Sequence, residues 1–103
     1  MKKMKWNEAK EFLKTNTALL EFGTEWCGTC QMMKPVMEEL ETKTEVQIIK
    51  VDAEESGLFR KEDSPIEVLR IPAYYLVKND QYNFIGYKYK SVEELLENIE
   101  KYK

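Results

Sequence analysis

The sequence predicts an α/β fold, a three-layer α/β/α sandwich with a central mixed β-sheet, on three observations. Short apolar runs that suit buried strands alternate with segments whose apolar residues recur at three- and four-residue spacing. Near the end, two strand patterns flank Asn79-Asp80, a hairpin signal that adds antiparallel partners to a sheet otherwise joined by crossover helices. A length of 103 residues with 43% hydrophobic content suits one domain, residues 1–103, that buries a core without disulfide staples.

A short edge strand near Met4 is expected first. Asn7 then caps a helix to about Thr15, with Ala9, Phe12 and Leu13 along one face. Residues 17–22 centre on Ala18-Leu19-Leu20 and read as a buried strand that runs directly into the cysteines. From Gly28 to about Lys43, Met32, Met33, Val36, Met37 and Leu40 recur at helical spacing, which puts Cys27 at or just before a helix N-terminus. Pro35 inside that helix predicts a kink.

Residues 46–51, closed by Asp52, form a second buried strand. The charged stretch 54–63 reads as a solvated helix face, and Pro65 opens a short helical turn carrying Val68 and Leu69 that Ile71-Pro72 ends. Residues 73–77 and 82–87 are the hairpin strands. Tyr87-Lys88-Tyr89-Lys90 reads as a solvated strand edge, with a docking surface as the alternative. Ser91 and Glu94 make a capping box for a last helix with Val92, Leu95, Leu96 and Ile99 on its apolar face.

Charge excludes some functions. A net charge of −3, with no dense Lys/Arg block, argues against a nucleic-acid groove. No segment is long enough to span a bilayer, so no membrane association is expected. The basic start Met1-Lys2-Lys3-Met4-Lys5-Trp6 is not followed by the continuous apolar stretch of a signal peptide.

The chemistry concentrates in Trp26-Cys27-Gly28-Thr29-Cys30, which holds the only two cysteines of the chain. Sulfurs three positions apart at a helix start can close a small disulfide and reopen it, whereas a bond that locks a fold gains most by spanning a long loop. A structural zinc site needs about four nitrogen or sulfur ligands. With two Cys and no His, one chain cannot complete it, and no metal is expected. A zinc shared between two chains and an incidental buried pair are the alternative readings.

Phe22, the Trp26 to Cys30 motif, Pro35 five residues after the second cysteine, Asp52, Ile71-Pro72, and Lys78-Asn79-Asp80 before a strand ending in Gly86 span nearly the whole chain. In these residues and their spacing the chain resembles the thioredoxin family. The resemblance implies a thioredoxin-like fold and a protein thiol–disulfide oxidoreductase acting as a reductant on disulfide-containing protein substrates. It also implies a flavin- and NADPH-dependent reductase as electron donor. No bound cofactor is expected, and the expected state is a monomer in the cytoplasm. The alternatives are an extracytoplasmic disulfide oxidase or isomerase, and a redox-sensing binding module of the same fold.

Exchange requires an attacking thiolate. Cys27, preceding the helix, is expected to be the exposed nucleophile favoured by the helix N-terminus, and Cys30, one turn further in, the resolving cysteine. Gly28 leaves the approach of a partner open, and Trp26 shields one flank of the sulfurs or belongs to the core. Glu21 aligns with the buried acid that thioredoxins place behind their cysteines, usually Asp. Burial would raise its pKa and let it take the proton of Cys30, whereas a solvated strand face would leave it ordinary.

Ile71-Pro72 resembles the family's cis-proline loop, whose backbone pairs with an extended substrate, although Ala73 stands where Thr is frequent. An ordinary trans turn is the alternative. Arg70 reads as exposed, with a positive charge on the docking rim as the alternative. Thr29 replaces the family's usual proline in the dipeptide that tunes the reduction potential, so the poise is open in either direction. The lysine that many bacterial thioredoxins hold near the acid is replaced by Ile48, which leaves a buried Glu21 without that partner. Met32, Met33 and Met37 read as core filler.

Overall fold

The computed structural model describes residues 1–55 and 68–103. Five strands, β1 (Lys2–Lys3), β2 (Ala18–Gly23), β3 (Gln47–Asp52), β4 (Ala73–Lys78) and β5 (Gln81–Gly86), form one sheet in the order β1-β3-β2-β4-β5. β3 pairs in parallel with both β1 and β2, while β4 runs antiparallel to β2 and to β5. β2 is buried at every residue, as a central strand covered on both faces must be. Asn79 and Asp80 have φ of 53° and 62°, the left-handed pair that a two-residue turn between twisted strands requires.

Four described helices cover the sheet: α1 (Trp6–Leu13), α2 (Gly28–Met32), α3 (Lys34–Glu41) and α4 (Val92–Tyr102). Trp6, Ala9 and Leu13 of α1 close one core with Leu20, Phe22, Ile49, Val51, Tyr75 and Val77. Met33, Met37, Leu40, Val92, Leu95 and Ile99 close the other with Leu19, Ile48, Tyr74 and Leu76. The layers are therefore helix, sheet, helix, as expected.

Several boundaries differ from the sequence expectation. The N-cap of α1 is Lys5 without a side-chain cap, and Asn7 lies inside the first turn. Burial of Trp6 carries the helix start past the polar residue that would otherwise cap it. The long helix from Gly28 is two helices rather than one kinked helix, divided at Met33, because Pro35 has no N–H to offer the carbonyl of Gln31. The methionines divide with it. Met33 and Met37 are core, whereas Met32 is 76% exposed.

The expected helix face at 54–63 lies outside the described residues beyond Glu55. Glu54 and Glu55 follow β3 in a turn, both donating their N–H to Asp52 Oδ1 at 2.9 Å. Pro65 also lies outside the described residues, and Val68 and Leu69 are not helical. Ser91 caps α4 by accepting the Glu94 N–H at 3.3 Å. Tyr89 is not on a solvated edge. It is buried with its hydroxyl donating to the Ile85 carbonyl, against Gly86, whose φ of 143° suits a residue without a side chain.

Candidate active site

The end of β2 and the start of α2 bring the cysteines to the edge of the sheet. Cys27 is the N-cap of α2, and its Sγ accepts the N–H of Cys30 at 3.1 Å. The two sulfurs form a disulfide with Cα atoms 5.2 Å apart. The turn leading in is pinned by the Cys27 N–H on the Thr24 carbonyl and by the Gln31 side-chain amide on the Glu25 carbonyl at 2.9 Å. Gln31 had no place in the sequence reading.

Cys27 does not stand out as the exposed sulfur residue. It is 7% exposed against 5% for Cys30, because the Cys30 N–H and the loop before β4 close around it. That loop contains the cis peptide Ile71-Pro72, and the Ile71 carbonyl oxygen lies 3.9 Å from Cys27 Sγ. Gly28 is exposed, and a Cβ built there would meet nothing within 4 Å, so the flank nearest the disulfide is open.

Two walls flank the sulfurs. Trp26 is 67% exposed, so it is not core, and its indole N–H donates to the Glu54 carboxylate. Beyond the cysteines, Thr29, Arg70, Ile71, Pro72, Tyr87 and Lys88 line a groove of about 320 Å³. The Arg70 guanidinium sits over the Tyr87 ring at 4.9 Å, a cation–π contact that holds its charge at the groove's rim. Thr29, Ile71 and Pro72 thus meet in one groove, with Trp26 standing apart on the acidic wall.

Glu21 is buried, at 2% exposed, so it does not lie on a solvated face. Burial raises its pKa, and two neighbours oppose that shift. Tyr74, directly across the β2–β4 pairing, donates its hydroxyl to Glu21 Oε2 at 2.6 Å. Lys50, opposite Glu21 in the β2–β3 register, supplies positive charge. A lysine therefore serves Glu21 after all, two positions along β3 from Ile48. It points to the same face because side chains alternate along a strand.

Glu21 also shares a face of β2 with Gly23, two residues and about 7 Å away. A Cβ on Gly23 would lie 3.1 Å from Cys30 Sγ. The Glu21 carboxyl thus lies on the side of the sheet that faces Cys30. Neither Tyr74 nor Lys50 was picked out from the sequence. The available signal was Tyr74-Tyr75 in a buried strand, where one phenol must face each core and find a partner for its hydroxyl.

Among the described residues, no group of three or more His, Cys, Asp or Glu is arranged to hold a metal ion, and no helix is long and apolar enough to cross a membrane.

Comparison with known proteins places this geometry among relatives. A family model described as Thioredoxin matches residues 1–101. The chain is similar to the thioredoxin of Mycoplasmopsis pulmonis (strain UAB CTIP), with 41% identity over 104 residues that cover 96% of this chain and 95% of the relative. Against the thioredoxin of Listeria monocytogenes, identity is 34% over 88 residues, covering 82% and 81%. A solved structure of Plasmodium falciparum thioredoxin superposes with a TM-score of 0.75 at 26% identity, covering 100% of both chains.

Proposed function

We propose that this chain, which belongs to the thioredoxin family and is a thiol–disulfide oxidoreductase of the protein-disulfide reductase type, attacks with Cys27, resolves with Cys30 and moves the proton through Glu21. The observation that carries this reading is the Cys27–Cys30 disulfide at the start of α2, facing the Ile71 carbonyl with a buried carboxyl behind it.

In the reduced chain, Cys27 Sγ as thiolate keeps the Cys30 N–H as a hydrogen-bond donor, which favours the anion. The thiolate attacks one sulfur of the substrate disulfide. The substrate S–S bond breaks, its other sulfur leaves as a thiolate that takes up a proton, and a mixed disulfide joins Cys27 to the substrate. Glu21 accepts the Cys30 proton, so that the Cys30 thiolate attacks Cys27 Sγ. The Cys27–substrate bond breaks, the second substrate sulfur leaves as a thiolate that takes up the proton held by Glu21, and the chain is left with the Cys27–Cys30 disulfide described above. Two electrons have passed to the substrate. A reductase that draws them from NADPH through a flavin restores the dithiol.

Substrate docks along the groove of Thr29, Ile71 and Pro72, with its backbone against Ile71 and with Gly28 leaving room for the incoming sulfur. Trp26 borders the opposite side. The working unit is a monomeric single domain, residues 1–103, in the cytoplasm.

Insulin reduction driven by dithiothreitol tests this reading. The wild type is expected to turn over, while Cys27→Ser abolishes turnover and Cys30→Ser accumulates the mixed disulfide. No turnover by the wild type would sink the reading. A reduction potential in the range of oxidising isomerases, about −180 mV, rather than thioredoxin-like, about −270 mV, would overturn the assignment as reductant.

A further inference from the structure

We propose that Tyr74 is a positioning residue for the exchange reaction: its buried hydroxyl clamps Glu21 Oε2, leaving Oε1 as the oxygen that trades the proton with Cys30. This inference rests on the reading of Glu21 as proton acceptor.

The geometry is specific. Tyr74 is fully buried, its hydroxyl donates to Glu21 Oε2 at 2.6 Å, and the pairing is fixed from both strands by the Glu21↔Tyr74 register of β2 and β4. A buried carboxyl with no clamp can turn about its terminal torsion, which is broad and lacks deep wells. A phenol donor of this length stops that rotation and names one oxygen as acceptor.

The Tyr74 hydroxyl is committed to Glu21. Tyr89 packs on its ring, with centroids 6.0 Å apart, but the Tyr89 hydroxyl is given to the Ile85 carbonyl. From β3 the charged group facing Glu21 is Lys50, and from α2 the titratable group is Cys30. The residues that α3 and α4 add to this core are apolar: Met33, Met37, Leu40, Val92, Leu95 and Ile99.

The clamp also sets the proton affinity. Burial alone would hold Glu21 neutral over a wider pH range and make it a poor acceptor at neutral pH, and the Tyr74 hydrogen bond works against that by favouring the carboxylate. Tyr74 is kept a donor by its own burial and by the neighbouring carboxylate, both of which push its pKa up.

The test is the pH dependence of single-turnover insulin reduction, measured for the wild type, Tyr74→Phe, Glu21→Gln and the double variant. Tyr74→Phe keeps the ring and its packing. It is expected to move the acidic limb of the profile upward by about one pH unit, the tenfold change in proton affinity that follows loss of one charge-assisted hydrogen bond. Glu21→Gln should leave only the part of the limb that Cys27 thiol ionisation sets, and adding Tyr74→Phe to it should change nothing further.

If Glu21→Gln shifts the limb while Tyr74→Phe superposes on the wild type, Tyr74 is core only and the inference falls, with the Glu21 reading intact. If the Glu21→Gln profile superposes on the wild type, the Glu21 reading itself falls. Should Tyr74→Phe fail to fold, 3-fluorotyrosine placed at position 74 serves instead. Its more acidic hydroxyl is the stronger donor and should lower the limb, and an unmoved limb overturns the clamp.

Discussion

The two faces of β2 are built from one strand and solve opposite problems. Leu20 and Phe22 point into the core closed by α1, where Phe22 meets Trp6 and Tyr75 edge-on with ring centroids 5.6 and 5.8 Å apart. Leu19, Glu21 and Gly23 lie on the other face, beside a core with two hydrogen-bonded phenols and next to Cys30. One face gains stability from apolar area and aromatic contact. The other accommodates a buried acid, which disfavours folding when ionised, on the side of the sheet that also faces Cys30. Stability and reactivity are thus divided by the period of two along a single strand.

The sharpest way to break this division is Phe22→Ala. Removing a fully buried ring is expected to destabilise the fold by about 3–5 kcal/mol, read by urea denaturation, with the reduction potential unchanged. A potential that moves with it would show that the faces are not independent.

Glu21→Gln probes the other face through pH. The folded pKa of Glu21 is raised, first by burial, so below the ordinary carboxylate value of about 4.3 the acid is neutral in both states and exacts no penalty. As pH rises past that value the unfolded chain ionises first, and stability is lost until pH passes the raised folded value, above which the loss is constant. Wild-type stability relative to Glu21→Gln should therefore fall as pH rises through that window. Parallel curves from pH 4 to 8 would refute it.

Gly23→Ala gives the smallest effect. The new Cβ would sit 3.1 Å from Cys30 Sγ, a sulfur tethered in the disulfide and freer as a thiol. The oxidised form should lose about 1 kcal/mol relative to the reduced form, making the protein a slightly stronger oxidant in a redox titration with glutathione. An unchanged potential would mean that the sulfur has room to move.

Local signals carried much of the architecture. The hairpin at Asn79-Asp80, the buried run into Cys27 and the spacing of Val92, Leu95 and Ile99 are each readable within a dozen residues, and each appears as expected. What the sequence hid depends on pairing between distant strands. Tyr74 meets Glu21 across 53 positions of sequence, and Lys50 reaches Glu21 because the β2–β3 register puts them side by side. Neither follows from composition or period, since a one-residue slip would send each side chain to the opposite face. The limited exposure of Cys27 belongs to the same class, because it depends on a loop 44 positions away. The start of α1 differs from expectation for a related reason. Polarity favoured Asn7 as the cap, but Trp6 is drawn into a tertiary core that sequence position does not reveal.

The shortest strand has a consequence out of proportion to its size. A sheet edge is a template for another chain, since its unpaired backbone groups invite an incoming strand to add on. β1 closes that side with two exposed lysines, Lys2 and Lys3, after which Met4 turns inward toward α1. An approaching strand finds two residues of backbone and two positive charges, too little to register against and repulsive to a second copy of itself. At this end of the sheet, β1 offers little for a further strand to add to.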